Sequence, residues 1–464
     1  MKKLLLLALT VFASVALLAC ATTAAPTTVA PTTVAPTSGS QTTVAPTTAA
    51  PTTASAYVQG VTATSIKVGN TASTTGFLAF VGVPFNDAIR AVFKQVNDAG
   101  GINGRMIEFV TYDDQSDAAK GVTFTETLVE TDKIFALVGH FGTGTVNATL
   151  PYIQTKGVPM VYAATGVNAL YFAQSVGNPV MAVQPIYLTD GRIMAARALK
   201  ENLYGANQDQ PLAANAKVGV LYTNDDVGNS IKAGIEIEAT ALGKAANFTY
   251  TAVTSETVSS SVTLLKGTGV DVVILAMNQG PFAYTLTAMF NASLNVPIFT
   301  SYVNADVTAV NHIEYSPNRP IYTNAWVDVF STKGQADVQA FIATIAQAAL
   351  PEATKTAYYA NSFAIAGYIA ATVFVEGLKR VGASDLTWAS YIAAMENGPI
   401  SIPMGGVVDF SNGHRWGIAA MSLLKYTFVL GDNPATPDVV ETTHPIESFI
   451  KVREIETIAE IEAK

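Results

Sequence analysis

The sequence predicts an α/β protein built from two doubly wound parallel-sheet lobes, on the strength of three observations. Residues 65–138 alternate short apolar runs with amphipathic segments, a βαβαβ order that implies a parallel sheet with right-handed crossovers. A second series of the same kind runs from about residue 190 to residue 300, so two similar lobes are expected in place of one continuous sheet. Residues 134–148 organise the first series, reading as a buried strand, a glycine-rich turn and a helix start. Ile134 to Val138 is continuously apolar, as a strand covered on both faces should be. Gly139, Gly142 and Gly144 allow a sharp turn and a close approach of backbone to a ligand. Thr143 and Thr145 set hydroxyls beside the unpaired amides of a helix N-terminus, a site suited to a carboxylate. Residues 159–166 repeat the layout, ending in Ala163, Thr165 and Gly166. In open α/β sheets ligands sit beyond the carboxyl ends of the strands, so the two tips make a half-site; taken alone, they read equally well as ordinary βα turns.

The chain opens with a positive end, Lys2 and Lys3, an apolar run from Leu4 to Leu18, and small Ala19 before Cys20, the single cysteine among 464 residues. That is a secretory signal ending in what looks like a bacterial lipobox, which implies lipidation of Cys20 as the mature N-terminus. The apolar run is shorter than the ~20 residues of a membrane span. With no other thiol, disulfides and cysteine-ligated metals are excluded. Residues 21–56 are Ala, Thr, Pro, Val and Ser with a repeated Ala-Pro-Thr-Thr, a composition that cannot pack a core and is expected to be a disordered tether. The formal charge is −9 with only 13% charged residues, and loss of the leader removes two lysines more. An acidic surface disfavours nucleic acid and anionic membrane as partners.

The folded body starts near Tyr57 with a strand over 65–69. Phe85, Ala88, Ile89, Val92, Phe93 and Val96 fall on one helical face, which stops at Gly100. Asn103-Gly104 is a turn, 106–112 a strand, and a helix runs on to about Asp132. In the second series, helices are expected at 190–202, 230–242, about 255–267 and 281–292, with strands at 216–223, 248–250, 271–276 and 297–300. Long helices follow at 336–350 and 361–381, the latter burying Ile365, Tyr368, Ile369, Thr372 and Val373. Beyond Asn433 the chain is Pro- and Thr-rich and then charged; Ile450, Val452, Ile455, Ile458 and Ile461 form an amphipathic stripe expected to pack on a lobe.

These residues resemble the type I periplasmic-binding-protein family, in the leucine/isoleucine/valine-binding branch that serves ATP-driven importers. The resemblance rests on residues 65–71, Gly100-Gly-Ile-Asn-Gly-Arg105, residues 107–114, residues 136–139 with Gly142, residues 158–166, Pro403-Met-Gly-Gly406 and Asp409-Phe410, and it covers about residues 58 to 430. It implies lobes joined by three hinge strands that close on a small solute, a Venus-flytrap. The lobes would comprise residues 57–185 with 323–413 and residues 186–322 with 414–432, leaving 433–464 as a C-terminal tail. The family serine that meets the ligand carboxylate matches Thr143, beside Gly142, and contacts after the next strand match Ala163 and Thr165. Family aromatics fall at Val81 and Val227, and the acid that holds an amino group falls near Tyr302; all three are departures. Asn278 completes the expected second-lobe contacts, and Asp225, Asp226 and Asp306 are the acids in nearby loops.

No phosphate loop, dinucleotide fingerprint or nucleophile elbow is present, and His140, His312, His414 and His444 lack metal-ligand spacing to one another. No enzyme, catalytic residue, metal or cofactor is expected. Asp113-Asp114 reads as a solvated strand-end loop; Tyr302, Tyr322 and Trp326 read as cleft, hinge or core aromatics. The expectation is a monomeric, lipid-anchored extracytoplasmic receptor of an ABC importer. It would deliver a carboxylate-bearing solute, a branched-chain amino acid first, with amides, short acids and aromatic acids open. A sensor that passes its closed state to a signalling partner is the alternative.

Overall fold

The structure, a computed structural model, describes residues 58–310, 315–382, 385–431 and 444–464. The leader with Cys20, the 21–56 tether and His312 lie outside these residues. The described residues belong to one unit, Ser55–Lys464.

The first lobe begins with β1 (Ser65–Ala72), α1 (Ala79–Asp98), β2 (Met106–Asp113), α2 (Ala118–Glu126), β3 (Ala136–Val138), α3 (Thr143–Lys156), β4 (Met160–Val161) and β5 (Val180–Met181). A π turn, Thr127–Thr131, extends α2. The strands lie in the order β2-β1-β3-β4-β5, all parallel. This is the doubly wound arrangement expected. The chain then passes to the second lobe through α4 (Tyr187–Lys200), β6 (Val218–Tyr222), α5 (Asp226–Ala241), β7 (Phe248–Ala252), α6 (Val258–Thr268), β8 (Val272–Ala276), α7 (Gln279–Asn291), β9 (Ile298–Thr300) and β10 (Ile321–Ala325). It returns for α8 (Thr332–Ala346), α9 (Glu352–Tyr358), α10 (Ser362–Val381), α11 (Trp388–Glu396) and the pair β11 (Ile400–Ser401) and β12 (Val407–Val408). A third crossing leads to β13 (Ala420–Gly431), β14 (His444–Thr457) and α12 (Ile458–Glu462).

Local chemistry starts these helices where they start. Asp225 accepts from the Gly228 amide at 2.8 Å to cap α5, and Asn361 accepts from Phe363 and Ala364 amides to cap α10. Helix α10 is apolar enough by length and composition to cross a membrane, but most of it is buried against α1 and the first sheet as that lobe's core helix. Phe85, Ile89, Val138 and Phe374 are fully or nearly fully buried there, and Val220, Ile231 and Ile274 play the same part in the second lobe.

The second sheet runs β14-β13-β10-β9-β8-β6-β7. It is parallel from β7 to β10 and antiparallel from β10 through β13 to β14. Two sequence-based boundaries change as a result. Strand β10 pairs with β9 and β13 along its length, so the return to the first lobe follows Ala325 and does not begin at residue 323. Residues 444–464, expected as a tail, are an edge strand and a helix of the second lobe; β14 pairs with β13 from Ala420↔Thr457 to Gly431↔His444, and α12 packs on α4.

Candidate ligand-binding cleft

Helix α3 begins at Thr143 because Gly142 turns the chain at φ 94°, a conformation that a side chain would strain. No side chain caps this helix, and Gly142 and its first residue, Thr143, lie at the cavity between the lobes. The neighbouring strand end is tied to it: Gly142 N donates to Ala164 O at 3.4 Å and Ala164 N to His140 O at 2.7 Å. Across this junction the Thr143 and Thr165 hydroxyls meet at 2.8 Å, and Thr165 Oγ1 accepts from Val167 N at 3.2 Å. Burial holds the Tyr187 phenol above its ordinary value, while the Thr143 and Thr165 hydroxyls beside it act in the opposite direction. Three hydroxyls therefore gather at one helix N-terminus. Asp114 steadies the group from below, accepting from Thr71 and Thr145 hydroxyls at 3.0 Å and from Ser73 at 3.1 Å. Asp114 is thus a buried anchor and not a solvated loop residue, unlike its exposed-side neighbour Asp113, which binds Thr74 and Thr75 amides.

Both lobes and the crossings between them enclose a cavity of about 500 Å3. Gly142, Thr143, Asn278 and Tyr302 line it, as does Val81. Three other expected contacts do not. Ala163 points into the first-lobe core, and Ala164 takes its place on the wall, because Tyr162 has a φ of 58° and reverses the strand's alternation. Thr165 is buried behind Thr143 and reaches the wall only through that hydroxyl contact. Val227 is buried under the first turn of α5, since the Asp225 cap starts the helix at Asp226 and turns the next residue inward.

Tyr302 is engaged elsewhere. Its hydroxyl donates to Pro185 O at 2.7 Å and accepts from Gln184 Nε2 at 3.1 Å, and its ring stacks on Tyr187 at 6.1 Å. Gly166 makes this possible: a Cβ there would stand 2.7 Å from the Tyr302 hydroxyl. Tyr302 is therefore a clasp between second lobe and first crossing. Asn278 caps α7 through Gln279 N at 3.0 Å. The carboxylates on the wall are Asp306 and Glu447. Asp306 accepts from Ser362 Oγ at 2.8 Å and Thr308 Oγ1 at 2.6 Å; Glu447 accepts from the Tyr426 hydroxyl at 2.7 Å. Asp225 is a helix cap, and Asp226 meets Asn147 Nδ2 at 3.3 Å off the cavity. No lysine or arginine is among the described lining residues.

Gln184, Gln279 and Ser362 also reach the wall, but most of the rest is apolar and is not singled out by the sequence: Phe85, Phe141, Tyr162, Phe330, Phe363 and Phe449. Trp326 belongs to both crossing and wall, whereas Tyr322 is a core residue whose hydroxyl meets Gln208 Oε1 at 3.1 Å. Contacts cross between the lobes at several places: Ser362 to Asp306, Asn147 to Asp226, and Asn168 Nδ2 to Ser230 O at 3.2 Å. Phe77, 71% exposed, lays its ring against Gly280 at the start of α7, where an added Cβ would come within 2.8 Å of it. His140 is a neutral core residue: burial pushes its imidazole down to about 3, and Nε2 meets Thr149 Oγ1 at 3.1 Å. Among the described residues no cluster of three or more His, Cys, Asp or Glu could hold a metal.

A family model described as periplasmic binding protein matches residues 65–429. The chain belongs to the periplasmic binding protein family. Within it, this binding protein falls in the type I, leucine/isoleucine/valine-binding branch, as the resemblance implied. It is 22% identical over 378 residues to Leu/Ile/Val-binding protein homolog 4 of Brucella abortus, covering 77% of this chain and 83% of that one. To homolog 1 of the same organism it is 32% identical over 130 residues, and the match spans only 32% of that relative. The fold is shared with a fatty acid ABC transporter substrate-binding protein from Thermomonospora curvata (TM-score 0.67, 17% identity, 87% of this chain and 96% of that one). It is shared too with a branched chain amino acid ABC transporter protein from Thermus thermophilus with bound valine (TM-score 0.64, 16% identity, 86% and 99%). Family and fold are those of solute-binding proteins, which are not enzymes and act outside the cytoplasm.

Proposed function

We propose that the protein is a lipid-anchored extracytoplasmic receptor that closes on a small carboxylate-bearing solute and hands it to an ABC importer permease. One observation carries the ligand class: the Thr143–Thr165 hydroxyl pair, 2.8 Å apart, stands on the uncapped N-terminus of α3 at the wall of an inter-lobe cavity. Without a lysine or arginine among the described lining residues, hydroxyls, amides and the helix dipole are the groups there to hold an anion. Closure then favours the liganded conformer by the ligand's differential affinity for it. The importer role rests on the family, and on the two structural neighbours whose names include ABC transporters. The anchor rests on Cys20 at the end of the apolar leader.

Amino acids, branched-chain first, are the ligands the family suggests. A specific observation favours a second reading, an acid with an apolar body and no amine. A desolvated ammonium without a counter-charge costs several kcal/mol. Here an uncharged residue, Tyr302, stands near the position of the family's acid with its hydroxyl already engaged, so an amine would have to reach Asp306 or Glu447, the carboxylates elsewhere on the wall. Calorimetry with leucine, valine, benzoate and a fatty acid separates the two readings; tighter binding of amino acids than of their deaminated analogues removes the second. In the same assay Thr143→Val is expected to weaken the bound acid by ~1–3 kcal/mol, about 5- to 150-fold in Kd, by leaving an anion oxygen unpaired. An unchanged Kd would count against this site.

A further inference from the structure

We infer that β14, which lies beyond the family match, forms the far wall of the cavity, and that Phe449 on it sets the length of ligand the protein accepts. The matched residues end at 429, whereas β14 begins at His444. Yet the lining of this cavity reaches from Thr143 in the first lobe to Leu424, Glu447 and Phe449 on the β13–β14 pair.

The register explains why these residues share the wall. Tyr426 pairs with Phe449, Phe428 with Glu447 and Leu424 with Lys451, so these side chains stand on one face of the pair. The Phe449 ring packs on Tyr426 at 5.7 Å, and the Tyr426 hydroxyl holds Glu447 at 2.7 Å. The short turn Val307–Ala309 packs against β14, and Val307 lines the same cavity, as do Val329 and Phe330 from the second crossing. The strand is fixed where it stands. Arg197 holds Glu456 at 3.1 Å, and Arg453 and Lys464 both reach Glu201.

The cavity therefore has a hydroxyl-bearing end, at Thr143, Thr165 and Tyr187, and a mainly apolar end at Val307, Val329, Phe330 and Phe449, where the Glu447 and Asp306 carboxylates are held by the Tyr426, Ser362 and Thr308 hydroxyls. Its volume of about 500 Å3 lies in the range of pockets that take drug-sized ligands, roughly 300–1,000 Å3. A monocarboxylate with an extended alkyl tail satisfies both ends. This rests on the carboxylate reading above for the polar end only; the wall itself needs only apolar contact.

The test uses the full mature chain, with calorimetric titration of unbranched monocarboxylates from butanoate to dodecanoate and of the matching primary alcohols. Affinity for the acids is expected to rise about fourfold per added carbon until the chain meets Phe449. Phe449→Trp is expected to shorten the longest chain accepted and Phe449→Ala to lengthen it. Val307→Trp, on the facing turn, repeats the shortening should Phe449→Trp fail to fold. Rising affinity that none of the three variants alters overturns the wall and leaves the carboxylate reading standing. A shifted limit for acids and alcohols alike, with acids bound no tighter, supports the wall and removes the carboxylate reading. Binding of neither series overturns the wall as a gauge of alkyl length, while the amino-acid titrations above decide the carboxylate reading.

Discussion

Arg197→Met is expected to lower the free energy of unfolding by ~3–5 kcal/mol, the range for breaking a buried ion pair by removing one partner. The Arg197 side chain is fully buried on α4. It donates to Glu201 at 2.9 Å, to Glu456 at 3.1 Å and to the Met421 carbonyl at 2.7 Å. Burial pulls its pKa down, and Glu201 and Glu456 act to restore it. Removing the guanidinium leaves the Met421 carbonyl without this donor and takes one cation from Glu201, whose side chain is 3% exposed. Arg453 and Lys464 remain at 2.6 and 2.8 Å from Glu201, which places the expected loss toward the lower end of the range. Urea denaturation measures it, and the loss should persist in high salt because buried pairs are screened little. A loss below about 1 kcal/mol would mean that the pair does not lock the C-terminal strand to α4.

That lock involves the part of the molecule hardest to read from sequence. The first lobe was legible because β3 and β4 are short apolar runs that lead into glycine-bearing turns, and α1 repeats its apolar face every three or four residues. The contact between Thr143 and Thr165 follows from the same logic, since β3 and β4 are neighbours and their tips meet. The C-terminal stripe mixes two periods. Ile450 and Val452 are spaced as in a strand, whereas Ile455, Ile458 and Ile461 are spaced as in a helix, and the chain does change from β14 to α12 at Ile458. Its partner strand lies across a Pro-rich stretch, so nothing local announces an antiparallel pair of that length. At the site, the choice between Ala163 and Ala164 turned on the left-handed Tyr162, a conformation that residue type does not suggest. The apolar wall draws on α1, α10, both crossings and β14; only tertiary structure assembles it.

Asp190→Asn is expected to stabilise the protein at pH 8 by ~2–4 kcal/mol and to change little at pH 4. Asp190 is fully buried in the first turn of α4, beside the floor of the cleft. Burial pushes its carboxyl up to about 7; the Ser301 hydroxyl, Asn324, which donates to Oδ1 at 2.8 Å, and the Tyr302 backbone pull the other way. The titratable groups facing it are the phenols of Tyr187 and Tyr302, and no cation is among the groups that set its pKa. The sign follows from proton binding. Between the unfolded value near 3.8 and the folded value near 7, the native state holds the proton and the unfolded chain does not. The stability this gives is complete below pH 4 and is lost as pH rises to 7. Asparagine stays neutral throughout, so the variant should escape the loss, and the two curves of Tm against pH should diverge across that window. The consequence reaches the ligand, because Tyr187 and Tyr302, which line the cavity, both feel the Asp190 charge. An ionised Asp190 repels an anion held at Thr143, so wild-type affinity for a carboxylate should fall above pH 7 while that of the variant stays level. Parallel Tm curves for the two proteins would show that Asp190 is ionised in the native state throughout this range, and would remove the basis for both effects.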